Sequence, residues 1–186
     1  MLRAALIIGT LVSCWLWVQI VHELGHVLGA WMAGAQVDRV VLHPLLISRT
    51  DISEAAHPLV VIWAGPILGS LLPLLLWLLA WRLKRPETFL FRFFAGFCLL
   101  ASGTYLAVGS FDGIGDCGDL LRHGTPIWLL WLFGLLTIPA GLYLWHDQGR
   151  HFGLPPRAQP IQPWLAWSVV SLAVLTIVAE LVAYAT

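Results

Sequence analysis

Residues 4–33 read AALIIGTLVSCWLWVQIVHELGHVLGAWMA, thirty residues in which Glu23 is the one charged side chain. A helix needs about 20 mainly apolar residues to cross a bilayer, so this stretch spans and carries its acid within the span. Four more stretches meet the same length criterion, at 57–81, 88–110, 126–145 and 164–184. Trp81, Trp128, Trp145 and Trp164 fall near their ends, where an interfacial aromatic belt belongs. The expected fold class is an all-α integral membrane protein with about five transmembrane helices. Residues 1–20 imitate a signal peptide, with Arg3, an apolar run and LVSC at 11–14. The chain stays apolar from Trp15 to Val21, however, where a cleaved protein turns polar, so we read these residues as the first span.

Composition agrees. Hydrophobic residues make up 59% of the 186 and charged residues 11%, against about 25% charge in a soluble domain. Ten basic and ten acidic side chains cancel, which gives nucleic-acid binding no electrostatic support. Cys14, Cys98 and Cys117 form no even set, and no disulfide is expected. The bilayer, in a multi-pass protein of the cell membrane, is the first partner. Arg3, Arg82, Lys84, Arg85, Arg92, Arg150 and Arg157 share one side of a five-span chain, and Arg39, Arg49 and Arg122 the other. The positive-inside rule then puts the N-terminus in the cytoplasm.

The connection from Ala35 to Ala56 is β-prone. Val37, Val40, Val41 and Leu42 form one run and Leu45, Leu46 and Ile47 a second, around His43-Pro44. This predicts a short membrane-associated hairpin turning at the proline. Such backbone persists at a membrane only when paired and packed on protein.

Chemistry concentrates in HELGH. His22 and His26 stand four apart, so on a helix they face the same way and can share a metal ion. Glu23 lies beside them, placed to take a proton from water at that metal. The chain has seven His and four Glu, and the pattern arises by chance about 0.006 times at that composition. A charge at bilayer depth costs about 2.5–3.5 kcal/mol, so Glu23 needs a reason to be there. Zn²⁺ with two neutral His, one Asp and Glu23 sums to zero charge. Downstream, Ala64-Gly65-Pro66 interrupts the second span, and its proline frees a backbone carbonyl. Phe111 to Gly124 reads FDGIGDCGDLLRHG and offers a source of carboxylate ligands.

HELGH on the first span, a β-prone segment, AGP in the second and an Asp-Gly-rich segment after the third together resemble the site-2 protease family of intramembrane zinc metallopeptidases. The resemblance covers about residues 10–125. It implies a three-span catalytic core over 1–125, with two additional spans in 126–186. It implies zinc held by His22, His26 and an Asp of the 112–119 segment, with Glu23 as general base. The implied reaction is hydrolysis of a peptide bond within or beside a substrate's transmembrane helix. Gly69 stands where family members usually have Asn, and the third motif departs from Leu-Asp-Gly-Gly.

For the third ligand, Asp112 matches the family triplet by letters. Asp116 better fits the layout, because two small residues and a leucine-rich helix follow it. We therefore take Asp116 as the ligand, with Asp112 and Asp119 as alternates; Cys117 is a further metal donor in the same segment. Asp116 also reads as the N-cap of a short helix that Gly124 closes. His43, at the hairpin turn, is a candidate to assist the reaction. The expected function is an intramembrane zinc endopeptidase. The alternative is a non-proteolytic, zinc-binding pseudoprotease that holds or regulates membrane clients. Transport is disfavoured, because no internal repeat is evident and the polar residues converge on one site. Glu180 is the exception, and its place near the end of the last span predicts that it reaches the interface.

Overall fold

The computed structural model describes residues 1–185. Five helices are long and apolar enough to cross a membrane: α1 (Leu2–Met32), α2 (Pro58–Arg82), α3 (Thr88–Gly109), α5 (Ile127–Trp145) and α6 (Pro163–Ala185). A short helix, α4 (Gly115–Arg122), follows α3, and a 3-10 turn at Gln148–Phe152 lies between α5 and α6. Each span agrees with its expected bounds to within two residues. Local chemistry explains some of the starts and stops. Pro58 opens α2, where a helix start leaves the missing N–H without consequence. Gly34 takes a positive φ of 70° just after α1, a conformation that costs a residue with a Cβ. Leu75, Leu79, Leu135, Leu136 and Leu175 are more than half exposed, as lipid-facing side chains of an apolar helix are.

α1 is the axis of the bundle. It packs on α2 and on α6, while α3 packs on α2 and α5. Ser13 Oγ donates to the Val169 carbonyl and Trp17 Nε1 to Thr176 Oγ1, both at 3.2 Å. The two contacts advance together along both helices, so α6 runs parallel to α1. At the N-terminal end of α1, Leu6, Phe152, Ala166 and Val169 form a buried cluster with Phe89 and Phe93 against it. α3 and α5 cross on small residues: a Cβ on Gly141 would lie 2.8 Å from the Gly96 carbonyl oxygen. Close approach of this kind is how helices gain contact in lipid, where apolar association has no driving force of its own.

The hairpin forms, with a different second strand from the one expected. β1 (Val37–Val41) pairs antiparallel with β2 (Arg49–Ile52), in the register Val41↔Arg49, Val40↔Thr50, Arg39↔Asp51, with a bulge between Val37 and Arg39. The turn does sit at the proline, where Leu46 N–H donates to the His43 carbonyl at 3.2 Å. Leu45 and Ile47, however, are 85% and 84% exposed. They point outward from an unpaired tip, and their apolarity serves lipid contact rather than strand pairing. The tip lies along α1: Trp15 Nε1 donates to the Pro44 carbonyl at 2.9 Å, and Ser48 N–H donates to Gln19 Oε1 at 3.0 Å. Gln19 is 13 residues before Met32, about 20 Å along a helix, so the hairpin re-enters the bundle.

Glu180 departs from the sequence expectation. It is 5% exposed rather than at an interface, because α6 turns this face toward the protein. One of its carboxylate oxygens has no hydrogen-bond partner among the described residues.

Because Arg39 and Arg49 belong to the re-entrant hairpin, the charge asymmetry that sets orientation rests on the other end of the bundle. Cys14, Cys98 and Cys117 are buried, and Asp38 and Lys84 are exposed. A membrane-impermeant maleimide added to intact cells should therefore label Asp38→Cys and spare Lys84→Cys. Labelling at Lys84 with protection at Asp38 would reverse the topology.

Candidate metal centre

His22 and His26 project from one face of α1, as four-residue spacing on a helix requires. Their rings meet edge-on with centroids 4.7 Å apart, and their Nε2 atoms are 3.0 Å apart. α4 brings Asp116 across from the far end of α3. Asp116 Oδ2 lies 2.9 Å from His22 Nε2 and 3.3 Å from His26 Nε2. Asp112 and Asp119 do not join them. Asp112 is exposed, and Asp119 pairs with Arg122 at the surface of α4. Among the described residues, the group with metal-ligand geometry is His22, His26 and Asp116.

The fit to zinc can be judged from the triangle itself. Ligands at about 2.0–2.1 Å from a tetrahedral ion lie about 3.3 Å from one another, and the three sides measure 2.9, 3.0 and 3.3 Å. Proton bookkeeping points the same way. His26 Nδ1 lies 3.0 Å from the Val61 carbonyl; that oxygen only accepts, so Nδ1 carries a proton. In neutral His26 the Nε2 is then a lone pair facing another on Asp116. A cation accepts both, and a second-shell hydrogen bond of this kind orients a metal-ligating imidazole.

α2 is shaped to receive His26. A Cβ on Gly65 would collide with the His26 imidazole, and one on Gly25 with the backbone of Ala64 and Gly65. The AGP sequence is thus a contact surface for the histidine. The carbonyl that His26 uses is Val61, one residue before the one that Pro66 frees by lacking an N–H.

Glu23 is 3% exposed and both its oxygens are engaged. Ser48 Oγ donates to Oε1 and Thr50 Oγ1 donates to Oε2, each at 2.6 Å. Two hydrogen bonds to a charged group, about 1.5–3 kcal/mol each, offset the roughly 2.5–3.5 kcal/mol cost of the charge at that depth. Sequence reading missed Ser48 and Thr50. The available signal was their i, i+2 spacing, which puts two hydroxyls on one face of a strand.

The Asp-Gly segment is organised around Asp116. Gly113 and Gly115 take positive φ, at 64° and 61°. Asp116 N–H donates to the Tyr105 hydroxyl at 3.0 Å. Asp116 is not the N-cap of α4, which is Ile114; the helix starts earlier because Gly115 makes the turn, and the carboxylate is free to face the histidines. Cys117 is fully buried and its thiol points at the Tyr105 carbonyl, 3.1 Å away. Burial pushes that thiol up to about 11, which disfavours the thiolate a metal needs. His43 faces elsewhere, with its ring 4.9 Å from that of Tyr184 on α6.

A family model described as Peptidase M50B-like matches residues 4–109, which include His22, Glu23, His26, the hairpin and Gly65 but stop short of Asp116. No curated protein and no solved structure matches the chain.

The geometry separates the three aspartates. Purified protein should carry about one zinc per chain by elemental analysis. Asp116→Asn should lower that occupancy at least as strongly as His22→Ala or His26→Ala, while Asp112→Asn and Asp119→Asn leave it unchanged. Full zinc in Asp116→Asn would remove it from the ligand set.

Proposed function

Because the chain belongs to the Peptidase M50B-like family, we propose that it is an intramembrane zinc endopeptidase, cleaving a peptide bond within or next to a transmembrane helix of a membrane-protein substrate. The observation that carries this reading is the convergence of His22, His26 and Asp116 into one small triangle, with Glu23 adjacent in sequence and buried. In this reading residues 1–125 form the catalytic core, with α5 and α6 packed outside it, and the cell membrane is its location.

His22, His26 and Asp116 would hold the ion. Zinc, when bound, supplies a Lewis acid that lowers the pKa of water toward about 7 and polarises a carbonyl. Glu23 would take the proton of the attacking water and return it to the leaving amine. Its partners are hydroxyls, which occupy one lone pair on each carboxylate oxygen and leave others free to accept that proton. Ser48 and Thr50 thereby orient the base, and the hairpin that carries them shields it from lipid. The substrate helix must unwind locally to expose a peptide carbonyl. A bilayer tolerates the unwound stretch only where protein satisfies its backbone.

One observation favours a second reading. Glu23 is nearly inaccessible and hydrogen-bonded at both oxygens, an arrangement equally suited to a zinc-binding pseudoprotease that holds clients without cutting them.

Three variants distinguish the readings on a reporter with a transmembrane helix. Glu23→Gln should keep its zinc and lose about 10²–10⁴-fold in cleavage rate; loss of the metal would make Glu23 a ligand instead. Ser48→Ala and Thr50→Val should each lower cleavage about tenfold, from one lost hydrogen bond to a charged group. A rise in cleavage would mean that the two hydroxyls restrain the base, as the second reading requires.

A further inference from the structure

Tyr105 stands at the edge of the metal centre with a hydroxyl proton uncommitted. Its ring meets that of His22 edge-on, with centroids 6.0 Å apart and planes at 82°. Its oxygen accepts the Asp116 N–H at 3.0 Å, so one hydroxyl contacts the backbone of one proposed ligand while the ring flanks another. A tyrosine hydroxyl both donates and accepts, and this contact uses only an acceptor lone pair. Among the described residues no acceptor takes the O–H. The side chain is 38% exposed, unlike the buried Glu23.

The surroundings are built around that hydroxyl. Gly115 has φ +61°, and a Cβ there would collide with the Tyr105 oxygen. On the α2 side, Gly69 contributes no side chain beside His22: a Cβ there would lie 3.5 Å from Ser102 Oγ and 3.7 Å from His22 Cα, in ordinary contact. Ser102 is buried, so the exposed hydroxyl-bearing side chain beside the proposed ligands is Tyr105 of α3.

We propose that Tyr105 is a catalytic residue of the peptidase reaction, its O–H donating to the carbonyl oxygen of the scissile peptide bond. The role rests on the endopeptidase reading. As water oxygen bonds to the carbonyl carbon, the C=O π pair moves onto the carbonyl oxygen and Glu23 takes the water proton. Tyr105 keeps its own proton, and its hydrogen bond strengthens as that oxygen becomes anionic. When the C–N bond breaks, the proton on Glu23 passes to the amine nitrogen. No oxidant or reductant enters. A donor whose bond is stronger in the transition state than in the ground state accelerates the chemical step.

The competing role for Tyr105 is to pin Asp116 in place and nothing more. Tyr105→Phe keeps the ring beside His22 and removes the O–H. Four quantities decide between the roles: zinc per chain, kcat and KM on a helix reporter, reporter affinity in a Glu23→Gln background, and affinity for a phosphinic peptide. The phosphinic group presents a tetrahedral anionic centre in place of the scissile carbonyl. We expect full zinc, kcat lowered about 10²–10³-fold, a comparable loss of phosphinic-peptide affinity, and reporter affinity within about threefold. Unchanged kcat and unchanged phosphinic-peptide affinity would overturn the role. So would loss of zinc in Tyr105→Phe, which would make Tyr105 a positioning residue for Asp116. A wild-type chain that neither cleaves in a Glu23-dependent manner nor binds the phosphinic peptide would overturn the endopeptidase reading itself, and this role with it. An active wild type with an equally active Tyr105→Phe overturns this role alone.

Discussion

A carboxylate on a lipid-surrounded helix has no water to solvate it, and the surroundings of Glu23 follow from that constraint. The chain answers it with hydroxyls, which have to come from outside α1 because the helix backbone is already hydrogen-bonded to itself. They come from Ser48 and Thr50, and this requires the connection after α1 to fold back along the helix rather than leave the bundle. A returning segment carries its own backbone polar groups, which must also be paired at that depth. Pairing β1 with β2 meets most of that need, and Gln19 and Trp15 bond the remainder near the tip. The hairpin and the buried acid therefore explain each other.

The same reasoning extends to the histidines. His26 needs its ring held with Nε2 toward the centre, and the Val61 carbonyl does this at 3.0 Å. That bond forms only if α1 and α2 approach within the thickness of a side chain. Gly25, Gly29 and Gly65 make the approach by omitting Cβ atoms that would clash. Lipid offers little drive for apolar helices to associate, so small-residue contact and the polar bond it permits act together. Asp116 arrives by a different device. α4 is a single short helix, and two glycines with positive φ turn the chain after α3 so that the carboxylate faces the histidines.

The site combines tight organisation with limited access. Three proposed ligands, the proposed base Glu23 and its two hydroxyl partners come from α1, α4 and the hairpin, and α2 and α3 wall the centre through Gly65 and Tyr105. Glu23 is the most enclosed member and Tyr105 the most open. Under the proposed endopeptidase reading, such an arrangement would keep bulk water from the base.

The sequence by itself determined the membrane class, the five spans to within two residues, and the pairing of His22 with His26. Each rests on a short-range regularity: apolar runs of spanning length, or four-residue spacing on a helix. It also marked the hairpin's turn, because Pro44 is a local signal. It could not locate β2, because Leu45–Ile47 and Arg49–Ile52 are both plausible strands until one knows which faces lipid and which faces Glu23. Nor could it separate Asp116 from Asp112 and Asp119, or relieve Asp116 of the N-cap role. All three aspartates have similar neighbours, and only the positive-φ turns at Gly113 and Gly115 decide which one reaches α1. Ser48, Thr50 and Tyr105 enter the site through contacts between residues 25 to 27 positions apart or across separate helices. No periodicity encodes such contacts; tertiary packing alone decides which polar side chain faces which buried charge.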